Sequence, residues 1–547
     1  MQQCAQCKSL FEITDSDRQF YDKIGVPEPT WCPACRMQRR MAFRNERNLY
    51  KRKCDLSGKD IVSVYPPTSP FKIYEQLIWW SDKWDALSYG HDFDFSRPFF
   101  DQFHELILKV PRISLQNWAN ENSEYCNDTD HLKNCYLCFN AANAQDSYYC
   151  NTFGYSRNCV DMFWCLTSEL CYECTKTHES YHSFWCLNSK NLNDCFFCED
   201  CHACKHCFGC FGLRQKEYCV YNKQLTKNEY ESFMSNFHFT YPEIETAKRK
   251  FKDFSLTIPH KNLQNLNAED CVGDYITASK KCVDCFDVMN SENIKYVWDG
   301  VLNNSMDCFN TGTADYIYES LAVYNSNNLK FCDKCNSSSS DLLYCDFCSG
   351  CESCFGCTNL SHKKYCILNK QYSKEEYEKL VPKIIGYMKS TREWGEFFPA
   401  ALSPFGYNDT LAQEYFPLTK EEAIQKDFVW NDYVSPKITS TKTISANRLP
   451  NAIGDVPDDI LNWAIECEKD GKTFKIIPQE LKFYRGQGLP VPHLCPDCRH
   501  YARKAQINPR QLWNRKCDNC GTDIKTTYSP DRPEKVYCEK CYLETVY

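Results

Sequence analysis

NCYLCFNAANAQDSYYCNTFGYSRNCVDMFWC, residues 134–165, carries the period that decides the fold. Cys135, Ser147, Cys159, Cys171, His182, Cys195, Cys207 and Cys219 follow one another at steps of 12, 12, 12, 11, 13, 12 and 12 residues. Around them lie short apolar stretches after a polar residue, as at Asn134, Asn158 and Asp194. Such a unit, repeated many times, predicts a parallel β-solenoid. With Phe, Tyr and Trp placed inside, a turn of roughly 24 residues, two units each, is expected from the stacking of repeat folds. Cys alternates with Ile, Leu and Met at equivalent places, which points to packing for most of these thiols.

The repeat is itself repeated. Shifted by 147, Cys135 and Cys138 fall on Cys282 and Cys285, and the run Cys198 to Cys219 falls on Cys345 to Cys366. The second copy runs from Cys282 through Ile294, Met306, Ile317, Lys330, Leu342 and Cys354 to Cys366. Six cysteines at every third place from Cys195 to Cys210, and five from Cys345 to Cys357, fit neither strand nor helix periodicity. They read either as a metal-knitted end or as tight turns that stack thiols in ladders. His202 and His206 become Ser349 and Ser353 in the second copy, so they are not read as ligands.

A second duplication, at a shift of 463, joins the two ends. Cys4, Cys32, Cys35 and Cys54 fall on Cys467, Cys495, Cys498 and Cys517. Cys4, Cys7, Cys32 and Cys35 form two Cys-x2-Cys knuckles, the ligand set of a structural zinc ribbon. An iron–sulfur cluster is the competitor. Cys467, Asp470, Cys495 and Cys498 repeat the set with one carboxylate, which zinc accepts. Cys517, Cys520, Cys538 and Cys541 form a further ribbon at the C-terminal end only, with Gly521 in its turn. The N-terminal counterpart keeps Cys54 but has Ser57, Glu75 and Ile78 at the other places, and should hold no metal. Zn2+ is the cofactor expected. A closed four-ligand site leaves no position for catalysis.

Basic residues follow each first ribbon. Between Arg36 and Lys53 there are eight, among them Arg36, Arg39, Arg40, Arg44, Arg47 and Arg52, against the single acid Glu46. Between Arg499 and Lys516 there are six, among them Arg499, Arg503, Arg510 and Arg515, and no acid. Phe43, Tyr50, Tyr501 and Trp513 are interleaved. Arginine with aromatics suits phosphate backbone and unpaired bases. The plainer reading is a solvated helix face, or arginines packing on the ribbon.

The strings WCPACRMQRR (31–40), FRNERNLYKRKC (43–54), WWSDKWDAL (79–87), DFDFSRPFF (92–100) and VYCEKCY (536–542) resemble those of a family of long cysteine-rich proteins of small-genome candidate-phylum bacteria. The resemblance spans nearly the whole chain. It implies zinc-ribbon ends and no established activity. Asp470 and the decayed second N-terminal ribbon depart from the pattern.

The sequence thus predicts a mainly β chain, with two tandem parallel β-solenoid copies and helical caps flanked by duplicated zinc-ribbon modules. Its expected parts are a ribbon module (1–74), an aromatic helical cap on the first rung (75–125), two capped solenoid copies (126–255 and 256–390), a connecting segment (391–463) and a double ribbon (464–547). Thr226, Ser373 and Thr419 open capping boxes with Glu229, Glu376 and Glu422, and Ser96 is a candidate cap before Pro98.

Aromatics at 15% and charged residues at 25% are those of a globular protein. The 40 cysteines would mean disulfides in a secreted chain. Met1 to Cys7 has neither the basic start nor the apolar core of a signal peptide, and no apolar run reaches membrane length, so a cytoplasmic location is expected. No recurring Asp/Glu pair, Gly-rich phosphate loop or nucleophile motif appears, which argues against an enzyme. The expected partner is nucleic acid, RNA before DNA, or failing that a protein held on the solenoid faces. A net charge of −8 opposes a protein coated in nucleic acid throughout. No membrane and no small-molecule substrate is indicated.

Overall fold

The computed structural model describes residues 1–312, 314–315, 318–319, 326–327, 339–436 and 442–546. The protein is a β-solenoid with few helices. It divides into two compact units, each drawn from both halves of the sequence. The first joins Met1–Leu115 to Leu263–Tyr433, and the second joins Gln116–Asn262 to Val434–Tyr547. Among the described residues no cysteine is in a disulfide, and no helix is long and apolar enough to cross a membrane.

In the second unit the solenoid register is parallel throughout. Asn151 pairs with Phe139 on one side and Phe163 on the other, and Cys195 pairs with Cys207, which pairs with Cys219. Each step is 12 residues, so one turn takes 12 residues, not the 24 expected. The reason is a sharp corner at every third residue. Asn134, Leu137, Asn140, Asn143 and Asp146 all have φ between 48 and 53°. Asn and Asp tolerate this left-handed conformation better than other side-chain-bearing residues, which accounts for their frequency here.

The corners leave three amides per step with different partners. Tyr148 N–H donates to the Cys159 carbonyl one turn ahead (3.0 Å), and Tyr149 N–H donates to the Tyr136 carbonyl one turn behind (2.9 Å). The third amide, that of Cys159, points inward and donates to Ser147 Oγ (3.3 Å). Every third side chain therefore faces a narrow bore. Cys126, Cys135, Cys138, Ala141, Ala144, Cys150, Cys159, Cys171 and Cys195 line it, with Ser147, Ser156 and Ser168 among them. A thiol suits this place because it is small, apolar and still a weak donor. Cys171 Sγ, for example, lies 3.4 Å from the Glu169 carbonyl and 3.5 Å from that of Ser180.

The bore is too narrow for the aromatics expected inside, and Phe153 is the one ring in its core. Others stand outside, among them a column of Tyr136, Tyr148, Tyr172, Phe184, Phe196 and Phe208, one per turn and interrupted only by Val160. That column is the face on which the C-terminal module packs, through Leu481 and Tyr484. The run from Cys195 to Cys210 is resolved by the same geometry: consecutive thiols are consecutive inward steps. It is a stacked ladder, and no metal-holding group occurs in it among the described residues. Replacing Cys171 by Val should cost about 1–1.5 kcal/mol in a urea melt, whereas Leu should overpack the bore and cost about 1–3 kcal/mol. Equal losses for the two would contradict a close-packed interior.

The first unit holds an equivalent stretch. Cys282 pairs with Ile294 and Cys354 with Cys366 at 12 residues. Two turns are a residue shorter, since Ala268 pairs with Ser279 and Ile294 with Ser305. Ile317 and Lys330 lie outside the described residues. Helices Lys227–Ser235 and Lys374–Ser390 follow the last turns, with both capping boxes formed. Tyr230 meets Tyr218, and Tyr377 meets Tyr365, each at 5.8 Å.

The aromatic segment expected to cover the first rung does something else. Helix Phe99–Lys109 lies in the first unit, where Phe99 packs edge-on to Phe355 at 5.3 Å. Ser96 does not cap it. The Phe99 and Phe100 amides donate instead to the Glu393 carboxylate at 3.1 and 2.9 Å.

Candidate metal centres

Each candidate metal loop begins as the same small turn. Cys4 N–H donates to the Ser9 carbonyl (2.9 Å) and Lys8 N–H to the Cys4 carbonyl (3.0 Å), which requires a left-handed residue at Lys8 (φ 64°). Gly471 and Gly521 take that place in the other two loops, at φ 68 and 75°. This turn aims both cysteine side chains of a Cys-x2-Cys pair to one side. In the first ribbon of each end the second pair comes from a helix start. Cys32 and Cys495 are the caps of helices Pro33–Met41 and Pro496–Lys504, so the positive helix end favours thiolate. Cross-bonds tie the halves together: Cys32 N–H to Cys4 Sγ (3.2 Å), Cys495 N–H to Cys467 Sγ (3.3 Å) and Cys538 N–H to Cys517 Sγ (3.2 Å).

Three groups result, Cys4–Cys7–Cys32–Cys35, Cys467–Asp470–Cys495–Cys498 and Cys517–Cys520–Cys538–Cys541, each with its ligand atoms within 4.8 Å of one another. Cys7 Sγ lies 3.7 Å from Cys32 Sγ, and Cys520 Sγ lies 3.8 Å from Cys538 Sγ. A disulfide would be about 2.05 Å. A tetrahedron with metal–sulfur bonds of about 2.3 Å has edges of about 3.8 Å. The thiols are thus spaced for a shared ion. Both oxygens of Asp470 lie 3.8 Å from Cys495 Sγ, which puts the carboxylate at the fourth corner.

The surroundings split the ligands: burial pushes the Cys495 and Cys498 thiols up and the hydrogen bond with Cys32 pushes Cys35 up, while others are drawn toward the anion. A hydrogen bond with Cys35 draws the Cys32 thiol down to about 5. The hydroxyl and amide of Thr522 draw Cys520 down to about 6. Partial burial pushes the Asp470 carboxyl up, but hydrogen bonds with Cys467 and the Lys472 amide outweigh it and hold the group below its ordinary value.

The fourth loop keeps the turn without the ligands. Gly58 has φ 72°, Cys54 N–H donates to the Lys59 carbonyl (2.8 Å), and Glu75 N–H donates to Cys54 Sγ (3.3 Å). Cys54, Ser57, Glu75 and Ile78 form no metal-holding group. Cys54 sits instead in an apolar cluster with Tyr74, Ile78, Trp79, Ile113 and Phe347, where Trp79 meets Phe347 edge-on at 5.5 Å. The same two positions in the second unit are Tyr542 and Asp200, joined by a hydroxyl–carboxylate hydrogen bond.

The leading arginines of each basic stretch are not on the surface, although Lys51, Lys53 and Lys516 are. Arg36, Arg39, Arg40 and Arg44 are at most 4% exposed, and so are Arg499 and Arg503. Arg36 grips Asp307 through two hydrogen bonds of 2.7 and 3.0 Å, with Arg40 3.5 Å from the same carboxylate. Arg39 bridges Glu319 (2.9 Å) and Glu396 (3.0 Å), and Arg44 pairs with Glu46 (2.6 Å). In the second unit Arg499 and Arg503 take the two oxygens of Asp161 at 2.7 and 2.6 Å. Asp161 and Asp307 occupy the same place in their solenoids once the shorter turn is allowed for.

Burial by itself would lower the Arg36 and Arg499 guanidinium values, but the aspartates outweigh it and both are raised, so both stay charged. Arg52 and Arg515 are half-buried and pair with Asp55 (3.0 Å) and Asp518 (3.4 Å), and Arg47 and Arg510 are also half-buried. For Arg36, Arg39, Arg40, Arg44, Arg499 and Arg503 the expected phosphate contacts are thus replaced by buried ion pairs, and Arg36, Arg499 and Arg503 clamp their end modules to the solenoid carboxylates. Sequence reasoning missed Asp161 and Asp307 because they lie 338 and 271 residues from their partners.

No protein-family model and no curated protein matches the chain.

Proposed function

We propose that the protein is a non-enzymatic scaffold that binds other proteins on its solenoid faces, with zinc in a purely structural role. One observation carries this reading: the arginines that would meet phosphate are turned inward onto solenoid carboxylates. The metal loops then serve to hold the clamp helices Pro33–Met41 and Pro496–Lys504 in place. Four-ligand sites with three or four thiolates suit zinc and leave no open position for chemistry. The two solenoid stretches, each with its own end module, are read as tandem copies that double the available surface. The absence of disulfides among the described cysteines suits a cytoplasmic setting.

Affinity capture from native lysate, with and without nuclease, tests the reading. A protein partner kept after nuclease is the outcome it requires, and a partner lost with nuclease would return the RNA reading to first place. Elemental analysis should find three zinc ions per chain, a count that follows from the three ligand groups. Iron in their place would contradict the metal assignment. The site containing Asp470 should lose its ion first under chelator, because a carboxylate is a harder and weaker partner for zinc than a thiolate. Asp470→Cys should then slow the loss. Unchanged or faster loss in that variant would show that Asp470 is not a ligand.

A further inference from the structure

We propose that a groove in the second unit, between the first solenoid turns and the start of helix Pro478–Gln487, receives an arginine-bearing segment of a partner protein. This deepens the scaffold reading and rests on it. The groove has a volume of about 560 Å³ and is open to solvent. Its walls carry two carboxylates, Glu124 and Asp146, and three tyrosines, Tyr125, Tyr136 and Tyr148, with no Lys, Arg or His. That combination is chemically one-sided: it repels phosphate and attracts cations.

The polar groups are also oriented. Asn122 Nδ2 donates to Asn134 Oδ1 (3.1 Å), and Asn134 Nδ2 donates to Asp146 Oδ1 (2.9 Å), one solenoid turn apart each time. This ladder ends on the Asp146 carboxylate and fixes it. Asp146 Oδ2 has no hydrogen-bond partner among the described residues and remains open to an incoming donor. Tyr125 and Tyr136 stand at 58° with centroids 5.4 Å apart, and Tyr148 follows Tyr136 one turn on. A guanidinium can lie flat on a tyrosine face while its edge reaches a carboxylate, and an ammonium cannot do both as well. The open shape fits a peptide passing through better than a small amine held on all sides. The net charge of −8 draws a basic partner from a distance.

The test uses the full metal-loaded chain and three probes: the peptide Gly-Arg-Gly-Arg-Gly-Arg-Gly, its Glu-for-Arg counterpart, and free arginine. Calorimetry at low salt should show binding of the Arg peptide, weaker binding of free arginine, and none of the Glu peptide. Raising salt should weaken the Arg peptide, since the attraction is ionic. Asp146→Asn should weaken it about tenfold and Tyr125→Ala about fivefold, in line with a charge-assisted hydrogen bond and a cation–π contact. Both side chains are at the surface of the groove, so metal content and melting temperature should match the parent. Glu217→Lys, six solenoid turns along from Gln145 and the groove, should bind the peptide as the parent does. Absence of Arg-peptide binding, equal binding of the Glu peptide, or parental affinity in both groove variants would overturn the proposal. Partners captured from lysate unchanged by the two groove variants would sink the groove while leaving the scaffold reading in place.

Discussion

Stripping the metal should unfold the C-terminal ribbon while leaving its N-terminal relative folded. The strand pair Trp513–Lys516 and Asp523–Thr526 and the helix Glu539–Val546 surround few buried apolar side chains of their own, chiefly Cys517, Tyr528, Val536, Cys541 and Tyr542. Metal binding to such a set is worth about 10–16 kcal/mol in small zinc domains, which equals or exceeds the whole stability of an ordinary domain. The related loop at Cys54 has no ligand set, and its strands Tyr50–Lys53 and Asp60–Ser63 rest on the Trp79–Phe347 cluster. Hydrogen exchange read before and after chelation should therefore show protection lost at residues 513–526 and kept at 50–63. Loss at both, or at neither, would contradict the division between metal-held and packing-held loops.

The second large effect concerns the clamp. Asp161→Asn leaves Arg499 and Arg503 buried with only Glu480, 3.2 Å from Arg499, and the Glu173 carboxylate near Arg503 as countercharges. Breaking a buried pair in this way typically costs about 3–5 kcal/mol. Asp307→Asn should cost a similar amount in the first unit, less what Glu319 returns to Arg40 from 3.9 Å. The penalty belongs to the stranded charge, not to the pair. Replacing Asp161, Arg499 and Arg503 together by Leu, Met and Met should thus recover most of the loss. Urea melts of the single and triple variants decide this. A triple variant as unstable as Asp161→Asn would mean that the ion pairs themselves hold the module in place.

What could be read from the sequence divides along physical lines. The candidate metal groups are legible because each Cys-x2-Cys turn is local, and the duplication points to Asp470 as the member that completes one of them. The solenoid was legible from its period. The length of a turn was not, because it depends on where the backbone takes a left-handed corner. Asn and Asp at 134, 140, 143, 146, 158, 161, 188, 191 and 194 mark those corners, but Leu137, Tyr149, Trp185 and Phe197 occupy others and blur the signal. The arginine stretches were ambiguous for a different reason. An arginine row with aromatics has the same pattern whether it meets phosphate or buried carboxylate, and Trp31 under Arg39 at 4.3 Å serves the second. Nor does the duplication tell which solenoid each end module joins. It says which parts are alike, while pairs such as Trp79–Phe347 and Tyr542–Asp200 show where each one sits.

If the end modules clamp the solenoid as proposed, they should take no nucleic acid. Fluorescence anisotropy of a labelled single-stranded RNA, titrated with the metal-loaded full chain at low salt, checks this. No saturable binding is expected up to about 10 μM protein, a range in which basic proteins bind nucleic acid without sequence preference. Binding tighter than about 1 μM that weakens steeply between 50 and 200 mM salt, the signature of released counterions, would contradict it.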